Sequence, residues 1–492
     1  MKLPKFKGSK RLRRLLTPRP QYPIAIPLSN YPPELIERVA AFLPRKDLCN
    51  LRLVNRKVNC ATVHLFVREN FRQFDIDFTQ EGLQKLVDIS QHYDLSGEVN
   101  FGAWIQVVRL RQAVWSDREE RAWTNALTVK GYPKQRRVLK KGARTAALLW
   151  QSHLEMDAGG HYRQTLITAL QGMKRLQCIS VLDHLDKTDL DGNIVYIIRE
   201  TRGMYPQPEQ TVYVPTILES AERFAYTLET IFAAMTLSSA QLIIKHIRLE
   251  YQKIKDRGSL ITLSQLAGIM DRHEALYGGP SHAWKFLESC SWLDMSFYRE
   301  ERNFPSLETQ ASLGRFMTPM ASSLTKLSLR GHKARYDEAL LPIVYQLAQA
   351  VHLPKLQSLY FQQASIHSTD LETFVLRHAS TLESILLLEV RLDSGGCSRF
   401  LTNLSDCATP NLAKFVIHAV FESDISRQED GSYQIGETLD ISWPELKQDN
   451  ADDWIISTWY SVIEPYSVRG PERLRWLATE MGTCPPGQFI VW

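Results

Sequence analysis

The stretch DKTDLDGN, Asp186–Asn193, comes closest to a chemical site in this sequence. Asp189, Asp191 and Gly192 would fill the third, fifth and sixth positions of a calcium-binding loop, where oxygen ligands surround a hard cation. The first and twelfth positions of such a loop need carboxylates, and here they are Lys187 and Ile198. No calcium site is expected. Thirteen histidines are scattered without ligand spacing, and the seven cysteines, at 49, 60, 178, 290, 397, 407 and 484, form no CxxC pair. Several cysteines sit inside apolar runs, where a thiol behaves as a small hydrophobe. An odd cysteine count without metal spacing fits a reducing, intracellular setting, cytoplasm or nucleus. No phosphate-binding GxxxxGK[ST], no GxSxG, no HExxH and no GxGxxG after a strand is present. Catalytic residues, metal ligands and cofactors are therefore not expected.

Composition narrows the classes further. The 492 residues are enough for several domains, and 44% are hydrophobic, an ordinary value for a globular chain. No apolar run approaches the ~18 residues of a membrane span, so no membrane partner is expected. The net charge is +5, but residues 1–20 alone hold eight Lys or Arg and no acid, which leaves 5 − 8 = −3 for the rest. A near-neutral body gives no reason to expect nucleic-acid binding. The basic tail reads as a solvated arm, with a nuclear-localisation signal as the alternative. It is not read as a signal peptide, since no apolar segment follows the charges. A second basic stretch, residues 130–144, is expected to be a solvated loop.

Internal repetition organises most of the remaining chain. LTKLSL from Leu324, LQSLYF from Leu356, LESILL from Leu382 and LAKFVI from Leu412 share the pattern L-x-x-L-x-L, with starts 32, 26 and 30 residues apart. Weaker copies are LQCISV at Leu176, IKHIRL at Ile244 and CSWLDM at Cys290, with IQVVRL at Ile105 as an outlying first copy. The fourth and sixth positions lie two apart, so both face one side of a short strand. Between copies, Leu340, Val344, Leu347 and Val351 follow helical spacing, and Thr369 with Glu372 offers a capping box for the next helix. A strand–turn–helix unit cannot bury its own apolar face and must stack on its neighbours. The expected fold is α/β, a leucine-rich-repeat solenoid with parallel strands on one face and helices on the other. It would be irregular, because His332, Ala364, Val390 and Val420 replace the asparagine usual after the strand. Five of the eleven tryptophans fall in residues 443–492, which suits an aromatic C-terminal cap.

Ahead of the repeats stands YPPELIERVAAFLPRKDLCNLRLVNRKV, Tyr31–Val58. Pro32 and Pro33 suit a first helical turn, and Glu34 favours the positive end of the helix dipole. Leu35, Ile36, Val39, Phe42 and Leu43 spread over a wide face until Pro44 stops the helix. Asp47 can cap a second helix and Asn55 a third. Three short helices carry more apolar surface here than they can bury among themselves, which fits docking on a partner.

This segment resembles an F-box, although Tyr31 replaces the usual leucine and Val58 stands near a usual aromatic. FRQFDIDFTQEGLQKLVDIS and LRHASTLESILLLEVRL resemble phrases of F-box proteins with leucine-rich repeats, a type common in fungi. The resemblance implies a non-catalytic substrate receptor of a Skp–cullin–F-box ubiquitin ligase. The alternative it leaves open is an F-box scaffold that pairs with the Skp adaptor without cullin. The adaptor-binding residues would be Pro32, Pro33, Leu35, Ile36, Val39, Leu43, Leu48 and Leu51, with cullin reached through the adaptor. A protein substrate would meet Lys326, Arg330, Gln357, Gln362, Glu383, Glu389 and Lys414. The expected organisation is a basic disordered tail (1–26), the F-box (27–66), a helical linker with the first repeat (67–170), the solenoid (171–422) and the cap (423–492).

Overall fold

The computed structural model describes residues 27–435, except 95–96, 98, 112–139, 141–143, 145–146, 149–150, 153, 183–216, 239–241, 253–256, 259, 298–305, 332–338, 394–395, 407–410, 419–420, 424 and 428–432. The calcium-like loop, the basic tail, His332, Val420 and the tryptophan-rich segment 443–492 lie outside the described residues. So does most of the basic stretch 130–144, although Lys140 and Arg144 within it are helical rather than loop. The chain divides into two units, one of residues 1–72 with 93–100 and one of residues 73–92 with 101–492.

The first unit holds three helices, α1 (Pro33–Ala40), α2 (Arg45–Val54) and α3 (Arg56–Phe71). Helices α1 and α2 both pack on α3. Pro32 is the N-cap of α1, and Pro33 takes the first helical position, where a missing N–H costs nothing. Asn55 caps α3 by accepting a hydrogen bond from the Lys57 N–H at 2.7 Å. Asp47 does not cap α2. That helix starts at Arg45 behind Pro44, and Asp47 lies in its first turn near the positive end of the dipole. Helix α1 ends at Ala40, four residues ahead of Pro44.

The second unit is built on parallel strands in chain order: β1 (Gln73–Asp77), β2 (Val107–Arg111), β3 (Cys178–Leu182), β4 (His246–Gln252), β5 (Trp292–Phe297), β6 (Lys326–Arg330), β7 (Ser358–Ile366), β8 (Ser384–Asp393) and β9 (Lys414–His418). Each strand pairs in parallel with the next. In every L-x-x-L-x-L segment one of these strands begins at the third residue. The connections carry helices, among them α4 (Gln80–Gln91), α5 (His161–Gly172), α6 (Ile217–Leu237), α7 (Leu263–Leu276), α8 (Ser312–Met317), α9 (Leu340–Ala350), α10 (Ser368–Arg377) and α11 (Gly396–Asp406). A hairpin, β10 (Ile425–Arg427) and β11 (Tyr433–Ile435), follows the sheet, and Ile425 packs on Leu341 of α9.

One core runs the length of this unit. Alternate strand residues, such as Leu293 and Met295, Leu327 and Leu329, Leu359 and Phe361, Ile385 and Leu387, join helix residues such as Leu340, Val344, Leu347 and Phe374. Strand entries follow a common backbone pattern. Two successive N–H groups, as at Thr325 and Lys326, donate to one carbonyl of the preceding strand entry, here Ser291. Gly102 and Gly172 both approach the Ser90 carbonyl so closely that a Cβ on either would collide with it.

The expected capping box at Thr369 is replaced by a longer-range cap. Helix α10 starts at Ser368, and the Asp393 carboxylate, from the end of β8, accepts the Ser368 N–H. Arg399 anchors Asp393 at 3.0 Å. A sequence scan for local spacing cannot see a cap supplied from 25 residues away.

His378, at the end of α10, is buried and held in one tautomer. Its Nδ1 lies 2.7 Å from the Phe374 carbonyl and must donate, and its Nε2 accepts the Leu353 N–H at 3.0 Å. Burial, with the neighbouring His352 and Arg377 charges, holds its pKa below the ordinary 6.5. The folded state thus binds this proton less readily than the unfolded chain does. Its stabilising share is complete above pH 6.5 and is lost as pH falls below that value toward the folded pKa. The thermal midpoint should drop between about pH 7.5 and about pH 5.5, and less steeply in His378→Gln, which starts lower. Parallel pH profiles for the two proteins would refute this role.

Candidate functional site

In the first unit, burial separates two stripes on α1. Ile36 and Ala40 are fully buried, and Ala40 joins Leu48 and Leu65 in a small core, with Leu43, Leu51 and Phe66 packed against it. Arg52 stacks over the Phe66 ring at 3.6 Å and donates from Nε to Asn59 at 2.8 Å, which ties α2 to α3. The other stripe faces outward. Leu35 and Val39 are about half exposed, and Phe42, one further turn along, is 85% exposed. Tyr31, Leu53 at 86% and Val54 at 76% add to the exposed apolar surface of this unit. Apolar side chains at helical spacing, all outward, differ from the single scattered ones normal on a surface.

Of the adaptor-binding residues expected from sequence, Pro32, Pro33, Leu35 and Val39 are exposed, and Leu43 and Leu51 are half-buried. Ile36 and Leu48 require correction. At 0% and 2% exposure they have no surface to offer and instead hold the helices together. Tyr31, Phe42, Leu53 and Val54 were not singled out as site residues. The helical phase carried the signal: 35, 39 and 42 form one stripe, and 36, 40 and 43 form another.

In the second unit, the sheet face opposite the core is polar over its middle. Register sets His246, Trp292, Lys326 and Ser358 in one row, then Arg248, Asp294, Ser328 and Tyr360, then Ser296, Arg330 and Gln362. Fully buried Asp294 pairs with Arg330 at 2.9 Å. The Arg330 guanidinium lies over Tyr360, whose hydroxyl donates to Gln362 Oε1 at 2.5 Å. Burial pushes the Tyr360 hydroxyl up to about 12. Gln363 donates to Glu389 at 2.8 Å across neighbouring strands. The Ser296 and Ser328 hydroxyls are buried without a hydrogen-bond partner among the described residues. Toward β9 the face turns apolar, with Leu386, Leu388 and Val416 partly exposed.

The sequence-expected substrate residues do not form one cluster. Lys326 and Lys414, with Gln357 and Glu383 in the turns just before their strands, lie exposed at the strand entries. Arg330 ends β6, whereas Gln362 and Glu389 lie midway along β7 and β8. Gln362 is buried and serves Tyr360, so it offers no free surface. His246, Arg248, Trp292, Asp294 and Tyr360 were missed, although they occupy the outward positions of IKHIRL, CSWLDM and LQSLYF. Reading the weaker copies in the register of the stronger ones exposes most of them.

Among the described residues, no cluster of His, Cys, Asp or Glu is arranged to hold a metal ion, and no helix is long and apolar enough to cross a membrane. Compared with known protein families, residues 28–63 match the F-box domain. No curated protein matches the chain. The matched span contains α1, α2, the first half of α3, and both stripes of α1.

The two stripes should respond differently to substitution. Leu48→Ala removes a buried side chain and should cost about 2–5 kcal/mol of local stability. Leu35→Asp, on the outward stripe, should change it by less than about 1 kcal/mol. Hydrogen exchange of α1–α3 in the full chain checks both. Equal deprotection by the two variants would show that Leu35 belongs to the core.

Proposed function

We propose that this chain is the substrate receptor of a Skp–cullin–F-box type ubiquitin ligase. The observation that carries this reading is the outward apolar stripe Leu35–Val39–Phe42 lying inside the segment that matches the F-box domain. A Skp-type adaptor groove would cover that stripe, with Pro32 and Pro33 setting the approach of the first helix. Cullin would be reached through the adaptor. The parallel strands in chain order, with their shared entry pattern, support reading the second unit as an irregular leucine-rich-repeat solenoid. Its polar sheet face would hold a protein substrate, with Lys326, Arg330 and Glu389 among the groups on offer.

The chain would do no bond-making chemistry of its own. Holding a substrate lysine near a charged conjugating enzyme turns a bimolecular encounter into an effectively unimolecular one. Rate then depends on geometry and residence time rather than on any general base.

Leu35→Asp combined with Val39→Asp tests the docking, since both side chains are outward while Ile36 is core. Each side chain buried at an interface contributes about 1.5–3 kcal/mol, and a buried unpaired carboxylate adds a further penalty. A nanomolar complex, near −12 kcal/mol, should fall to micromolar or weaker. The expected result is loss of adaptor pull-down with the thermal midpoint unchanged. Adaptor retention by a folded variant would sink the proposal. Ubiquitylated partners that persist when cullin ligases are inhibited would instead point to a scaffold working without cullin.

A further inference from the structure

The row of outward residues at the entries of β4, β5 and β6 is cationic and centred on an aromatic ring. Trp292, on β5, is partly exposed, with the Arg248 guanidinium 4.8 Å from its ring centroid and Lys326 Nζ at 5.5 Å. His246 meets the same ring edge-on at 5.4 Å. Lys245 precedes His246 and is exposed, as is Lys326. Neither lysine makes an ion pair with another described residue. Asp294, a carboxylate on the same face, is already answered by Arg330. The local potential registers on His246, whose pKa lies below the ordinary 6.5 through burial and then through Arg248, Lys326 and Lys245.

We infer that this patch binds an acidic segment of the protein substrate, in extended polyproline II form, with carboxylates spaced Glu-x-x-Glu and an intervening apolar residue on Trp292. The inference rests on the receptor reading above and names the substrate class for it. Charge decides the sign of the ligand, and geometry decides its spacing. Strands β4 and β6 are two strand separations apart, about 9.5 Å. A polyproline II segment returns to the same face every third residue, at about 9.3 Å. The β4 residue in this row is His246, with Lys245 just before it, so one carboxylate meets the Lys245 entry of β4 while the next meets Lys326 two strands away. The choice of carboxylate over phosphate follows from the donors. A phosphate dianion favours a bidentate guanidinium fork; the Arg330 guanidinium is spent on Asp294 and the Arg248 guanidinium lies over the Trp292 ring, so the exposed cations on offer are two separate lysine point charges.

The test uses the full chain and a fluorescein-labelled Glu-Pro-Pro-Glu-Pro-Pro-Glu peptide, read by anisotropy at low salt. Binding should weaken as salt rises. The matching Gln-Pro-Pro-Gln peptide should bind at least about tenfold more weakly. Lys245→Glu with Lys326→Glu should abolish binding of the acidic peptide and gain binding of the Lys-Pro-Pro-Lys counterpart. Both lysines are exposed, so the melting temperature should hold. If it does not, Lys326→Gln alone should still weaken the acidic peptide. The inference is overturned by absent binding, by equal binding of the Gln peptide, by retained binding after the double reversal, or by preference for a phosphoserine peptide or a single-stranded oligonucleotide. Adaptor pull-down is run on the same variants. Lost peptide binding beside intact adaptor capture is the expected pattern. Failure of the peptide arm with capture intact overturns the substrate class alone, and lost capture in Leu35→Asp with Val39→Asp remains the separate check on the receptor reading.

Discussion

A single carbonyl at each strand entry accepts two N–H groups from the next, and the sheet's order depends on this shared bond. From Gln106 through Gln177, Lys245, Ser291, Thr325, Gln357 and Glu383, the same backbone geometry passes from one strand to its successor. Backbone groups taken from water must find partners, and here the partner is always the preceding unit. The residue immediately before each entry carbonyl is apolar: Leu324, Leu356 and Leu382 are all buried in the core. Hydrogen bond and anchor together leave each strand one register. Because a one-residue slip would turn every side chain to the other face, this fixes which side chains are core and which are surface.

The outward face then carries what the core cannot. Desolvating Asp294 completely is costly, and its partner Arg330 offsets that only while both are present. The face is thus intolerant of single-charge deletions yet adds little net stability, a pattern suited to recognition. Two non-glycine residues, Gln363 and Glu389, adopt left-handed backbone at φ 54 each, on neighbouring strands. Each creates a bulge in which two successive residues turn outward between core positions, Gln362 with Gln363 and Leu388 with Glu389. Their side chains bond to each other, so the matched bulges support one another. Beyond them β7 and β8 continue, with Ala364 and Val390 buried where an asparagine was expected from the repeat.

What the sequence disclosed divides along physical lines. Strand positions were legible because three apolar residues at fixed spacing suffice to mark an entry and a core-facing pair. Strand β1 was missed as a copy since Phe71, Phe74 and Ile76 keep the spacing but put aromatics at two of the three positions. Helix α9 was legible from its period, whereas the start of α10 depends on Asp393 and was not. In the first unit the element types could be read, but the assignment of side chains to inside or outside failed at Ile36 and Leu48. A short helix with apolar residues on two faces does not say which face its own neighbours will take. Only packing against α3 decides that.

The two faces also differ in the kind of binding they can support. On α1 the exposed groups are hydrocarbon, so affinity there scales with area removed from water and is nearly indifferent to salt. On the sheet, lysines, arginines and aromatic rings are set in rows whose neighbours are about 4.8 Å apart, and interactions with them weaken as salt screens them. An apolar stripe suits a partner that is always the same, because one shape serves every encounter. A charged, partly desolvated row suits discrimination among partners, because a wrong charge leaves a group unpaired. A receptor needs a constant contact and a selective one; in the function proposed above, the first would lie on the helices and the second on the strands.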